Sequence, residues 1–210
     1  MGTITALRSN DRKKQVNVFI DGLFSFAITE ELVVQNRLKV GGDLSLGRIQ
    51  ELKEASLFQS CFEAAIGYLS YRPRSKNEVR QRLRRRGFDD NVVEEVILNL
   101  KERQLIDDIA FSEYWRNNRL SFSPRSRRLI NLDLRQKGVA AETAHEVVKD
   151  LNDENSAYEA GHRKVRRLTC SDYNDFRRIL GDYLRRRGFD YETVRCAVER
   201  LWQERKEGSV

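Results

Sequence analysis

Leu83-Arg84-Arg85-Arg86-Gly87-Phe88-Asp89 is the stretch that decides the fold of this chain, because it comes back twice. It returns as Leu134-Arg135-Gln136-Lys137-Gly138-Val139-Ala140 and again as Leu184-Arg185-Arg186-Arg187-Gly188-Phe189-Asp190. Each glycine lies four residues after a leucine and thirteen before another, at Leu100, Leu151 and Leu201. Nine positions after the glycines stand Val96, Val147 and Ala197, and ten after them Ile97, Val148 and Val198. A period of about fifty residues that keeps its apolar register marks one supersecondary unit used three times, with burial shared between neighbours. Chains of this kind bind long surfaces more often than they catalyse.

Working outward, the same unit explains the turn residues. In repeat one, residues 57–70 carry a helical pattern and Pro73-Arg74-Ser75 interrupts it. Ser75 and Glu78 match a capping box, so a second helix starts there and runs to about Arg86. Gly87 supplies the left-handed stop. Asp89 or Asp90 then caps a third helix with Val93, Val96, Ile97 and Leu100 on one face. Repeat two copies this, with a first helix over 108–120, Pro124-Arg125-Ser126 at the start of the second, and Gly138 at its end. The chain has 2 prolines, Pro73 and Pro124, and each lies fourteen residues before its glycine. Repeat three lacks this tripeptide; Thr169-Cys170-Ser171-Asp172 stands in its place, and the second helix is expected to be a turn longer.

The first forty residues read as strands. Val16, Val18 and Ile20 alternate with Asn17 and Phe19; Phe24, Phe26 and Ile28 alternate with Ser25 and Ala27. Asp21-Gly22 between them predicts a two-residue hairpin with positive φ at both central residues. Ile4-Thr5-Ala6-Leu7 offers a third strand, and a helix over 29–36 is expected to cover the sheet. Gly41-Gly42 breaks the chain before the helical part. The expected architecture is mainly α: three tandem three-helix repeats in an elongated curved solenoid, preceded by a small β-hairpin segment. The expected divisions are 1–44 for the hairpin segment and short helix, 45–105 for a connecting helix and repeat one, 106–152 for repeat two and 153–210 for repeat three.

With 40% hydrophobic and 34% charged residues and a mean hydropathy of −0.65, the 210-residue chain can bury a core only through amphipathic elements. No apolar run approaches the roughly 18 residues that cross a bilayer, and residues 1–12 have no apolar signal core. A cytoplasmic protein without membrane contact is therefore expected. Cys61, Cys170 and Cys196 are odd in number and far apart, which argues against disulfides and zinc. Net charge is +7, of which residues 1–55 hold +1 and the repeats +6. Such a surface favours polyanions.

The charge is also ordered. Arg82, Arg84, Arg85 and Arg86 end the second helix of repeat one, Arg135 and Lys137 that of repeat two, and Arg185, Arg186 and Arg187 that of repeat three. Cations at a helix C-terminus each gain roughly 0.3–1 kcal/mol from the dipole, which explains one or two per helix but not three in a row, twice. A second set, Arg72, Arg74 and Lys76, then Arg125, Arg127 and Arg128, surrounds the helix starts, where the dipole opposes it. These cations form either a binding surface for an anionic partner or solvated helix ends with good caps. Aromatic residues interleave with them (Tyr68, Tyr71, Phe111, Tyr114, Trp115, Tyr158, Tyr183, Trp202), mostly at core spacing.

Catalytic constellations are poor. His145 and His162 are the only histidines, and no phosphate-binding G-x-x-x-x-G-K-[ST] loop is present. Asp107-Asp108 fits a nuclease metal site on paper and a helix cap by position; capping is the reading adopted. No enzyme activity and no cofactor are expected.

Tyr68-Leu69-Ser70-Tyr71-Arg72-Pro73-Arg74-Ser75, followed by Leu83 and Arg86-Gly87-Phe88, resembles the RecX family of bacterial RecA regulators. Leu105-Ile106-Asp107-Asp108 with Phe111 and Tyr114 resembles that family's next signature, and Arg163-Lys164 with Arg186-Arg187-Gly188-Phe189 its third repeat. The likeness covers about 57–205, and the hairpin segment is similar to the N-terminal extension of some members. The resemblance implies tandem three-helix repeats and a non-enzymatic regulator. It implies binding in the groove of the RecA–single-stranded DNA filament and modulation, usually inhibition, in recombination and DNA repair. It brings no catalytic residues. The partners expected are the RecA filament and single-stranded DNA, met directly or through RecA, with the chain acting as a monomer. The alternative is a stand-alone helical nucleic-acid-binding protein.

Overall fold

The computed structural model describes residues 1–10, 15–170 and 172–208. It is mainly helical, with a small antiparallel sheet at the N-terminus. The sheet contains β1 (Gly2–Asn10), β2 (Gln15–Ile20), β3 (Leu23–Thr29) and β4 (Asp43–Leu44), in the order β3-β2-β1-β4. The hairpin forms as its turn requires: Ile20 pairs with Leu23, and Asp21 and Gly22 take φ of 52° and 82°. Val16 lies opposite Ile28 and Val18 opposite Phe26, so alternation puts four apolar side chains on one buried face.

Two features of this part were not legible in the pattern. The Gly41-Gly42 break is where the chain turns back onto the sheet: Gly41 N–H donates to Ile4 O and Ile4 N–H to Gly42 O. The short β4 follows, too brief to show any period. The short helix α1 (Glu30–Gln35) packs on the sheet core through Leu32 and Val33, as expected, but it shares that cover with a second helix. The start of α2 (Leu46–Leu69) adds Ile49 and Leu52, with Ser56 Oγ donating to Ala27 O at 2.6 Å. The connecting helix and the first helix of repeat one are thus one continuous 24-residue helix, since no proline interrupts them.

The remaining helices are α3 (Lys76–Arg85), α4 (Asp90–Glu102), α5 (Asp108–Phe122), α6 (Arg127–Gln136), α7 (Ala141–Val148), α8 (Asp153–Val165), α9 (Tyr173–Arg186) and α10 (Tyr191–Lys206). Together with α2 they make three triplets in the expected register. Asp89 caps α4, whose Val93, Val96, Ile97 and Leu100 are all buried. Asp190 caps α10 at the equivalent place, and accepting the Thr193 amide holds its carboxyl below the usual range. The helix α9 has 14 residues against 10 in α3 and α6, the expected extra turn. Asp172 caps it; Ser171, part of the start expected for it, lies outside the described residues.

Two compact units divide the chain: Met1–Arg72 with Val79–Arg103, and Pro73–Glu78 with Gln104–Val210. In the first, the sheet core joins α2. In the second, Phe111, Ile130, Leu134, Val139, Ala144 and Val148 form the core of α5–α7. Phe176, Leu180, Leu184, Val198 and Leu201 are central to that of α8–α10. The buried positions ten and thirteen after the glycines, Ile97, Val148 and Val198 and then Leu100 and Leu201, show why the spacing recurs. No described helix is long and apolar enough to cross a membrane.

Candidate functional site

The ends of α3, α6 and α9 are built alike. Gly87, Gly138 and Gly188 have φ of 87°, 78° and 86°, in each case because the chain must leave the helix by a left-handed residue. Their amides donate to Arg84, Arg135 and Arg185 carbonyls, all at 2.9 Å. Phe88 and Val139 amides reach back to Leu83 and Leu134, completing the cap. Last-turn cations are therefore held at each C-terminus with a fixed backbone beneath them.

The starts of the same helices explain Pro-Arg-Ser. Ser75 Oγ accepts from Glu78 N–H at 3.1 Å while Ser75 N–H donates to the Glu78 carboxylate at 3.3 Å, the expected capping box. The Ser75 hydroxyl also donates to Lys137 O at 2.6 Å. The start of α3 thereby sits against the end of α6, beside Gly138, within the second compact unit. The next joint repeats it: Ser126 N–H donates to Arg187 O at 3.0 Å, beside Gly188. An aspartate from the following triplet closes each joint. Asp108 accepts from Lys76 N–H at 2.9 Å, and Asp153 from Arg127 N–H at 2.6 Å. Asp107 caps α5 through Ile109 N–H at 2.8 Å, so both members of the Asp107-Asp108 pair serve helix starts.

This geometry sorts the fifteen candidate cations. Several hold the joints. Lys137 pairs with Glu78 at 2.9 Å and lies 4.2 Å from the Trp115 ring centre. Arg187, at the same register, donates to Ser123 Oγ at 2.8 Å and Pro124 O at 3.1 Å and covers the Tyr183 ring at 4.4 Å. Lys76 faces Asp108 at 3.4 Å, which answers the puzzle of a cation at a helix start. Arg125 shares Asp133 with Arg119 at 3.0 and 3.3 Å, and desolvation, helped by Arg125, pushes the Arg119 guanidinium below its ordinary pKa. Arg127 donates to Lys149 O at 3.3 Å. Arg72 and Arg74, flanking Pro73, are half-buried.

A second group is engaged only at the surface. Arg84 pairs with Asp90 at 2.7 Å, Arg185 with Asp182, and Arg82 lies 5.6 Å from the Tyr68 ring centre. Arg85, Arg86, Arg128, Arg135 and Arg186 are exposed and form no ion pair with a described residue. Exposed pairs contribute about 0–1 kcal/mol each, so both surface groups are available to a partner at small cost.

The aromatic residues mostly pack, as their spacing predicted: Phe111 is buried, Trp115 tilts against it at 6.0 Å, and Trp202 against Phe176 at 5.0 Å. Tyr71 departs from this at 84% exposure. Reading the charge by helix-two ends alone passed over the end of α8, where Arg163, Lys164, Arg166 and Arg167 fall within five residues. The string itself was the available signal.

Residues 61–100 match the family model described as RecX, first three-helix domain, and residues 2–45 that of the regulatory protein RecX N-terminal domain. The chain is 30% identical over 211 residues to the regulatory protein RecX of Lactobacillus gasseri, across 99% of this chain and 78% of that protein. To the regulatory protein RecX of Lactobacillus johnsonii it is 30% identical, across 96% of this chain and 75% of that protein. A crystal structure of regulatory protein RecX aligns with a TM-score of 0.67 at 20% identity, over 95% of this chain and 100% of that one; this likeness speaks for the fold.

Proposed function

The chain belongs to the RecX family of regulatory proteins, and from that premise we propose that it is a non-enzymatic regulator that binds the RecA–single-stranded DNA filament and lowers its ATPase, strand exchange and growth. It would do so in the cytoplasm, as a monomer, without a cofactor. The observation that supports this most is the set of cations left over after the fold has used its own. Arg85, Arg86, Arg135 and Arg186 recur at matching helix ends, and no ion pair within the described residues engages them. Local helix stability gains little from them, whereas a filament offers repeated anionic contacts to a repeat protein. Contacts to more than one filament subunit would oppose both extension and the movements of strand exchange.

Co-sedimentation tests this. The protein should pellet with RecA filaments assembled on single-stranded DNA at about 0.15 M salt, where exposed charges beyond roughly 8 Å are screened. It should pellet far less with the same DNA lacking RecA. Equal pelleting in both tubes would instead favour the stand-alone nucleic-acid-binding reading.

A further inference from the structure

Four cations outside the helix-two register converge with Arg187 on one cleft of the second compact unit, about 720 Å³ in volume. Arg163 and Lys164 come from the last turn of α8, Arg166 and Arg167 from the residues just after it, and Arg187 from the end of α9. That is five cationic groups and no carboxylate in the lining. A helix end explains one or two of them. The fold uses Arg163 and Arg187 for its own contacts, but it does not use the exposed Arg166 and Arg167, which add like charge beside them.

The groups are also held in place. Arg163 Nη1 donates to Ser121 O at 2.5 Å, and its other nitrogen lies 3.9 Å from Glu159, one turn back on α8. Arg187 is fixed by Ser123 and Pro124, as described above. Arg187 and Lys164 both lie over the Tyr183 ring, at 4.4 and 5.8 Å from its centre. Arg166 and Arg167 remain exposed and form no ion pair with a described residue. At the rim stands Phe122, the last residue of α5, with 79% of its surface exposed and no polar atom to justify that position. Pinned guanidinium groups beside an open aromatic face are the two components of a single-strand site: charge that follows phosphates and a ring on which a base stacks. An acidic peptide would use the charge but leave Phe122 without a role.

We propose that this cleft is a direct binding site for single-stranded nucleic acid, with phosphodiester groups on Arg163, Arg166, Arg167 and Arg187 and a base stacked on Phe122. The site deepens the regulatory reading by giving the filament's DNA a place on the regulator. Its test contains no RecA, so failure of the site and failure of that reading are separable.

The test is fluorescence anisotropy of the full chain with labelled 12-nucleotide oligo-dT and oligo-rU at about 50 mM salt, where few-phosphate contacts are strongest. The Arg166→Glu/Arg167→Glu variant should weaken binding more than tenfold, and Phe122→Ala about fivefold or more. Lys53→Glu/Lys101→Glu, with the same charge change outside the cleft, should weaken it less than threefold. Thermal melts establish that each variant folds; should the reversal fail to fold, Arg166→Gln/Arg167→Gln replaces it with the same expected order. Binding of either oligomer with this order of losses supports the site. Equal losses in cleft and control variants, no binding of the unaltered chain, or displacement of oligo-dT by equimolar poly-glutamate would each overturn it.

Discussion

Gly138→Ala and Gly188→Ala should each destabilise the protein by about 2–5 kcal/mol, whereas Gly87→Ala should cost only about 1–2 kcal/mol. All three glycines have the same left-handed backbone, with φ between 78° and 87°, so all three substitutions carry the conformational penalty. Only two carry a second one. A Cβ at Gly138 would lie 2.4 Å from Asn77 Cβ, and one at Gly188 would lie 2.6 Å from Ser126 Oγ and 2.9 Å from Leu129 Cβ. A β-carbon is fixed to the backbone and cannot swing aside, so the joint itself would have to open. Around Gly87 nothing lies within 4 Å. The added cost of overpacking is about 1–3 kcal/mol. A domain has only about 5–15 kcal/mol in hand, so the two joint variants should lose much of their cooperative urea transition. Asn77→Gly in the Gly138→Ala background should recover part of the loss. Equal destabilisation by all three alanines would mean that the close approach plays no part.

The second large effect separates two kinds of arginine and lysine. Arg85→Glu/Arg86→Glu/Arg186→Glu should weaken co-sedimentation with RecA filaments by tenfold or more, about 1.4 kcal/mol, with only a modest fall in melting temperature. All three side chains are exposed and none forms an ion pair with a described residue, so their reversal costs the fold only the helix-dipole contribution, about 0.3–1 kcal/mol per charge. Lys137→Glu should behave in the opposite way. It would set a carboxylate against Glu78 in place of a 2.9 Å ion pair and remove a cation from the Trp115 ring. A loss of about 1–3 kcal/mol is expected, and weaker filament binding only in proportion to unfolding. A triple variant that still pellets like the unaltered chain would remove the helix ends from the interface.

Much of the fold was legible because its signals are local. A left-handed stop needs glycine, a type I′ turn is satisfied by Asp21-Gly22, and a helix face shows its period in Val93, Val96, Ile97 and Leu100. The recurrence of proline and glycine fourteen residues apart was equally plain. Its meaning was not, because the partner of Ser75 is Lys137, beside Gly138, and that of Ser126 is Arg187, beside Gly188, both in the following triplet. The candidate surface was half legible. Which cations the fold consumes depends on Glu78, Asp108 and Asp133, and only their packing shows that they face Lys137, Lys76 and Arg125. Leu57 illustrates the same limit, being an apolar residue in the helical pattern that is 43% exposed.

The most direct test of the central claim is RecA ATPase on single-stranded DNA, with this protein titrated in below the concentration of RecA and its coverage of bare DNA measured in parallel. Action on the filament predicts that ATPase falls well before the DNA would be saturated. Inhibition that appears only as the protein coats the DNA would contradict regulation of the filament and leave simple competition for the strand.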